Sequence, residues 1–135
     1  MDRALVILHV EDSPADRRLT ADTLGEAALS IQLFQAETAE EGLAFLRQEG
    51  ERYENCPRPD LVLLDLGLPG MSGRDLLATL RDDPMLSSIP VVVQTGDDDD
   101  RVLVETLGLG AHEFLTKPLT VEQLMSVIEY VTEFA

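Results

Sequence analysis

Leu61-Val-Leu-Leu64, four apolar residues in a row, runs directly into Asp65. A strand with one face in water alternates apolar and polar residues. An unbroken apolar run of strand length, stopped by a carboxylate, reads instead as a strand covered on both faces. Val91-Val-Val93 repeats the pattern before Thr95, and Ala4-Leu-Val-Ile-Leu-His-Val10 is β-branched and apolar on both faces except at His9. Ile31-Gln-Leu-Phe-Gln-Ala36 is another candidate strand, and Glu113-Phe-Leu-Thr116 is the shortest of the five.

Amphipathic stretches with recognisable starts separate these runs. Ser13-Pro14 puts a cap residue before a proline at the first helical position. Thr38-Ala-Glu-Glu41 and Thr120-Val-Glu-Gln123 fit the capping box, in which two side chains satisfy each other's free backbone N–H groups. Ser72-Gly-Arg-Asp75 is a looser start, with Leu76, Leu77 and Leu80 following on one face. Asp97 to Asp100 sits at the entry of a fourth helix, where negative charge suits the positive dipole end. Gly50 and the Gly108/Gly110 pair read as helix stops, and Gln48 to Pro59 as a polar surface loop. Strand and helix therefore alternate five times, which predicts a single α/β domain over residues 1–135. It is doubly wound: a five-stranded parallel sheet in the flavodoxin-like order 2-1-3-4-5, with five helices. The chain ends with the last helix, so no separate output domain is expected.

Composition narrows the function classes. Ten Lys+Arg against 26 Asp+Glu give a formal net charge of −16, the wrong sign for a nucleic-acid backbone or an anionic membrane surface. The one cysteine, Cys56, lies in Glu54-Asn55-Cys56-Pro57 without a second Cys or a His nearby and reads as a passive loop thiol. The apolar run Ala4 to Leu8 is too short to span a bilayer and has no cationic lead, so a cytoplasmic location is expected.

In this topology Glu11 and Asp12 end the first strand, Asp65 the third, Thr95 the fourth and Lys117 the fifth, and these positions converge at one end of the sheet. Three carboxylates at close range repel one another. A divalent cation and the Lys117 ammonium would compensate them, and hard oxygen ligands favour Mg²⁺, with Mn²⁺ an alternative. Such carboxylates titrate as a coupled set. Taken alone, Asp65 is a cap or turn residue and Thr95 an ordinary strand-end hydroxyl; their company makes them candidates for chemistry.

Four motifs carry a resemblance over nearly the whole chain: Val10-Glu11-Asp12, Asp60-Leu-Val-Leu-Leu-Asp65-Leu-Gly-Leu-Pro69-Gly-Met-Ser-Gly73, Pro90-Val-Val-Val-Gln-Thr95-Gly96, and Gly110-Ala-His-Glu-Phe114-Leu-Thr-Lys117-Pro118. In order and at strand ends, they resemble the response-regulator receiver domain. The resemblance implies that Asp65 is the phosphoacceptor, a nucleophile toward the phosphohistidine of a sensor histidine kinase. It implies Mg²⁺ ligation by Asp12, Asp65 and the Gly67 backbone carbonyl, with Glu11 acting through water or by holding Lys117. Lys117 and Thr95 would bind the phosphoryl group, and the Lys117–Pro118 peptide would be cis. Thr95 and Phe114 would form the conformational switch, although an aromatic at Phe114 is also good core. Gly67 and Asp97 depart from the commoner pattern and would tune the phosphate's lifetime.

The extended loop from Arg47 to Pro59 is similar to that of single-domain regulators paired with phytochrome-type kinases. Output would then be protein–protein: onward phosphotransfer, or docking to an effector. Leu124, Val127, Ile128 and Val131 follow core spacing on the last helix, whereas Val121, Met125, Tyr130 and Phe134 fall off it. That surplus suggests a homodimer through the face built from the fourth helix, fifth strand and fifth helix. Two other readings compete. An Asp-nucleophile phosphohydrolase generally needs a second Asp two residues after the nucleophile, where this chain has Gly67. A nucleotide-binding domain needs a Gly-rich phosphate loop where this chain has Glu11-Asp12-Ser13-Pro14.

Overall fold

The described chain runs β1 (Leu5–Val10), α1 (Pro14–Glu26), β2 (Ile31–Ala36), α2 (Ala39–Leu46), α3 (Gly50–Tyr53), β3 (Leu61–Asp65), α4 (Gly73–Asp82), β4 (Val91–Thr95), β5 (Glu113–Thr116) and α5 (Val121–Phe134). It is a computed structural model that describes residues 4–27, 29–66, 73–96, 108, 113–117 and 119–134. The strands form one parallel sheet in the order β2-β1-β3-β4-β5, as the sequence predicts. All five residues of β3 and all five of β4 are buried, which is why both read as runs rather than alternations.

Strand alternation divides the core in two. Ile7, Leu61, Leu63 and Val92 pack with Leu24 of α1 and with Leu124, Val127 and Ile128 of α5. Leu8, Val10, Val62, Leu64, Val91 and Val93 pack on the opposite side with Phe45 of α2 and Leu76, Leu77 and Leu80 of α4. Helices on both faces cover the central strands, and the carboxyl ends of the strands carry Glu11, Asp65 and Thr95. Asp60 fixes where β3 begins: its N–H donates to the Val6 carbonyl and its Oδ2 accepts the Val6 N–H, both at 2.8 Å.

The helix starts follow the sequence closely. Ser13 Oγ accepts the Asp16 N–H at 3.2 Å, with Pro14 at the first helical position. Thr120 and Gln123 exchange both bonds of a capping box at 3.1 Å. At Thr38 the hydroxyl accepts the Glu41 N–H, but the Glu41 carboxylate reaches one residue further back, to the Glu37 N–H.

Two expectations need correction. Gly50 does not stop α2; it opens the one-turn α3. The stop is made by Gln48 at φ 54°, where the Gln48 N–H reaches the Phe45 carbonyl and the Glu49 N–H the Ala44 carbonyl. This is a Schellman cap with glutamine in the left-handed position. The stretch Gln48 to Pro59 is accordingly not a bare loop. Tyr53 of α3 stands edge-on to Phe45 at 5.7 Å between ring centroids, and Phe45 meets Phe34 at 5.0 Å, so the insertion is anchored to the core. The helix expected from Asp97–Asp100 falls in residues 97–112, of which only Gly108, helical, is described. Gly67, Asp97, Gly110 and Pro118, and with it the Lys117–Pro118 peptide, lie outside the described residues.

Candidate functional site

The first turn of α1 is built around the residues that leave β1. Below the Ser13 cap, one Arg17 guanidinium nitrogen donates to the carbonyls of Glu11 at 2.9 Å and of Asp12 at 3.1 Å. The other terminal nitrogen lies 3.5 Å from the Glu37 carboxylate. Arg17 thus pins the backbone that presents the two acids, and the Ser13 N–H adds a long 3.4 Å contact to Glu11 Oε2.

Glu11, Asp12 and Asp65 each place a carboxylate oxygen within 4.8 Å of the others. Glu11 has no solvent exposure and Asp65 only 7%, whereas Asp12 is open to solvent. Lys117 reaches this cluster from the end of β5. Its Nζ lies 2.6 Å from Glu11 Oε1, 2.9 Å from Asp16 Oδ2 and 3.5 Å from Asp65 Oδ2. Burial pushes the Glu11 carboxyl up to about 7, the neighbouring Asp65 adds to the rise, and Lys117 opposes it. Burial alone would lower the Lys117 ammonium, but its bonds to Glu11 and Asp16 and the charges of Asp65 and Glu11 raise it above the ordinary lysine value. The cluster is oxygen-only, partly open and short of positive charge. That donor set fits a hard divalent cation, which takes a few carboxylates and keeps several waters.

Thr95 closes β4, is 8% exposed, and pairs in register with Thr116. The Lys117 N–H donates to the Thr95 carbonyl at 2.7 Å, so the two expected phosphoryl-binding residues are joined through the backbone. Phe114 stands in β5 opposite Val93.

Several residues at the site are absent from the sequence reading of it. Asp16 and Arg17, ordinary helix residues by sequence, hold Lys117 and the Glu11–Asp12 backbone. Gly73 packs against the end of β3: a Cβ there would stand 2.4 Å from the Asp65 carbonyl oxygen and 2.8 Å from the Leu66 Cα. Gly73 does stand in a motif quoted above, but only the tertiary contact explains the glycine. His9 is wholly buried, and desolvation, with Lys117 beside it, pushes its imidazole down to about 4, so it stays neutral. Gln35 Nε2 lies 3.2 Å from its Nδ1 and also 2.9 Å from the Arg17 carbonyl, which ties β1, β2 and α1 together at this point. A cavity of about 200 Å³ opens beside Lys117, bounded by Asp16, Leu19 and Thr20 of α1, by Leu119 and by Gln94.

The profile of the response regulator receiver domain matches residues 7–129. The chain is 39% identical over 129 residues to the response regulator Rcp1 of Synechocystis sp., covering 96% of this chain and 87% of that one. Its fold is similar to the Mn²⁺-bound form of Rcp1 (TM-score 0.78, 38% identity, 96% and 93% of the two chains). It is also similar to phosphorylated RcpA, a cyanobacterial phytochrome response regulator (0.81, 36%, 98% and 94%), and to the bacteriophytochrome response regulator AtBRR (0.86, 34%, 97% and 94%). A profile spanning all five strands, and relatives matched over nearly their full length, leave one assignment: the chain belongs to the response regulator receiver domain family.

Proposed function

We propose that Asp65 accepts a phosphoryl group from a phosphohistidine of a sensor kinase. In that step an Asp65 carboxylate oxygen bonds to phosphorus, the phosphorus–nitrogen bond breaks, and the imidazole leaves as an acyl phosphate forms. The observation that carries the reading is the packing of Glu11, Asp12 and Asp65 within 4.8 Å, with the Lys117 ammonium 3.5 Å from Asp65. Asp12, Asp65 and the Gly67 carbonyl would hold Mg²⁺ or Mn²⁺, with Glu11 acting through water. The cation supplies charge neutralisation at the reacting oxygens. The protein's own share is position: Arg17 fixes the Glu11–Asp12 backbone and Lys117 supplies the fixed positive charge.

In this proposal Lys117 and Thr95 bind the phosphoryl oxygens, Thr95 and Phe114 carry the change outward, and Gly67 and Asp97 set the lifetime. The chain acts in the cytoplasm. Likeness to Rcp1, RcpA and AtBRR supports a phytochrome-type kinase as the donor. The recipient would be a phosphotransfer protein or an effector, and a homodimer would form through the face containing β5 and α5. A monomeric mass by light scattering at high micromolar concentration, with and without a phosphoryl mimic, would remove the dimer from the proposal. For the central claim, the protein is incubated with Mg²⁺ and acetyl phosphate and its intact mass measured. One added phosphoryl group that disappears in Asp65→Asn is expected. No addition, or addition that survives Asp65→Asn, refutes the assignment.

A further inference from the structure

We infer that Asp16 is a positioning residue that competes with the phosphoryl group for Lys117. The inference rests on the phosphoacceptor reading above and adds a residue to it. An ammonium has three donors. Glu11 and Asp16 take Lys117 at 2.6 and 2.9 Å, while Asp65 stands at 3.5 Å, beyond a good hydrogen bond. The ammonium is therefore drawn off Asp65 toward the first turn of α1.

A phosphoryl group on Asp65 brings about 1.5 to 2 negative charges and three strong acceptors, and needs that ammonium closer. The third donor can turn to a phosphoryl oxygen, but as Nζ moves toward Asp65 its bond to one of the two present partners must lengthen. The Glu11 side chain is 1% exposed and would be left a buried carboxylate without its ammonium. The Asp16 side chain is 39% exposed, and water can replace the ammonium there. Asp16 is the partner that lets go. Its backbone, not its carboxylate, receives the Ser13 cap, so replacing the side chain leaves the start of α1 in place.

The test uses beryllofluoride at saturating Mg²⁺, a phosphoryl mimic that needs no donor, with affinity read by calorimetry. Asp16→Ala and Asp16→Asn should bind it about two- to fivefold more tightly than the wild type, the span of a partly exposed ion pair. Asp16→Glu should return toward the wild-type value. Glu37→Gln, which removes a charge paired with Arg17 rather than with Lys117, should change little. In a Lys117→Ala background the gain from Asp16→Ala should vanish, whereas a merely structural effect would persist. Unchanged or weaker binding in Asp16→Ala, or an equal gain without Lys117, overturns the inference while leaving the site reading intact. Failure of the wild type itself to bind the mimic overturns both.

Discussion

Gly73→Ala tests the claim that α4 is seated on the backbone of Asp65. The added methyl would lie 2.4 Å from the Asp65 carbonyl oxygen, 2.8 Å from the Leu66 Cα and 3.2 Å from the Asp65 carbonyl carbon. All three neighbours are backbone atoms that cannot rotate away. Taking about 3.5 Å as ordinary contact, the start of α4 and the end of β3 must separate by about 1 Å. Overpacking of this kind costs about 1–3 kcal/mol, against which alanine's preference for a helix returns at most ~0.5–1 kcal/mol. The net loss is about 0.5–2 kcal/mol. At ~2.1 cal/mol/K per residue, a 135-residue chain has a melting entropy of ~0.28 kcal/mol/K, so Tm falls by about 2–7 °C. Gly25→Ala supplies the opposite sign. Gly25 lies in α1 with nothing within 4 Å of an added Cβ, and its substitution should raise Tm by about 2–3 °C. Circular dichroism melts of the two variants and the wild type make the measurement. In Gly73→Ala the rate of phosphorylation by acetyl phosphate should also drop, up to about a hundredfold for a displacement near 1 Å. A Gly73→Ala protein that melts and phosphorylates like the wild type would refute the reasoning.

Other outcomes follow from the same geometry. Glu11 binds a proton more tightly folded, with its carboxyl at about 7, than unfolded at 4.5, so stability should fall as pH rises from about 4.5 to about 7 in EDTA. Urea titrations across that range should show the slope, Glu11→Gln should remove it, and Mn²⁺ should flatten it. Arg17→Ala releases the carbonyls of Glu11 and Asp12; it should lower stability by about 1 kcal/mol in denaturant unfolding and weaken Mn²⁺ binding in calorimetry. Thr120→Ala deletes half of a complete capping box and should cost about 1 kcal/mol, read as a lower urea midpoint with an unchanged slope.

The sheet was legible because its central strands are buried on both faces: Leu61–Leu64 and Val91–Val93 had to be apolar runs, and the polar residues follow at the strand ends. The acids, Thr95 and Lys117 were legible for the same reason. What the sequence did not disclose depends on contacts between distant segments. Gln48 has no local feature that marks it for the left-handed cap, and Gly50, two residues later, is the better local candidate. Asp16 looks like any acid favouring a helix N-terminus until Lys117, 101 residues away, comes to rest on it. Gly73 stands in a motif, but the reason for a glycine there is visible only where α4 leans on Asp65.

The charges described at the site explain why α1 matters as much as the strands. Glu11, Asp12, Asp16 and Asp65 gather around one ammonium, Lys117, while Arg17 is bonded to the Glu11 and Asp12 carbonyls and paired with Glu37; acids outnumber cations, and a divalent cation would offset the excess. Without the cation, burial first and the neighbouring Asp65 second push the Glu11 carboxyl up to about 7, against the pull of Lys117. On the proposed function, a phosphoryl group on Asp65 would add negative charge even with the cation in place, and the protein could answer it only by moving a charge it already has. Arg17 is committed to two carbonyls and Glu11 is locked in the core, whereas the bond between Lys117 and the half-open Asp16 can be exchanged at little cost. The exchange draws Lys117 toward Asp65, and its N–H is bonded to the Thr95 carbonyl at 2.7 Å. A change of charge on β3 would therefore reach β4 and β5 through a single side chain.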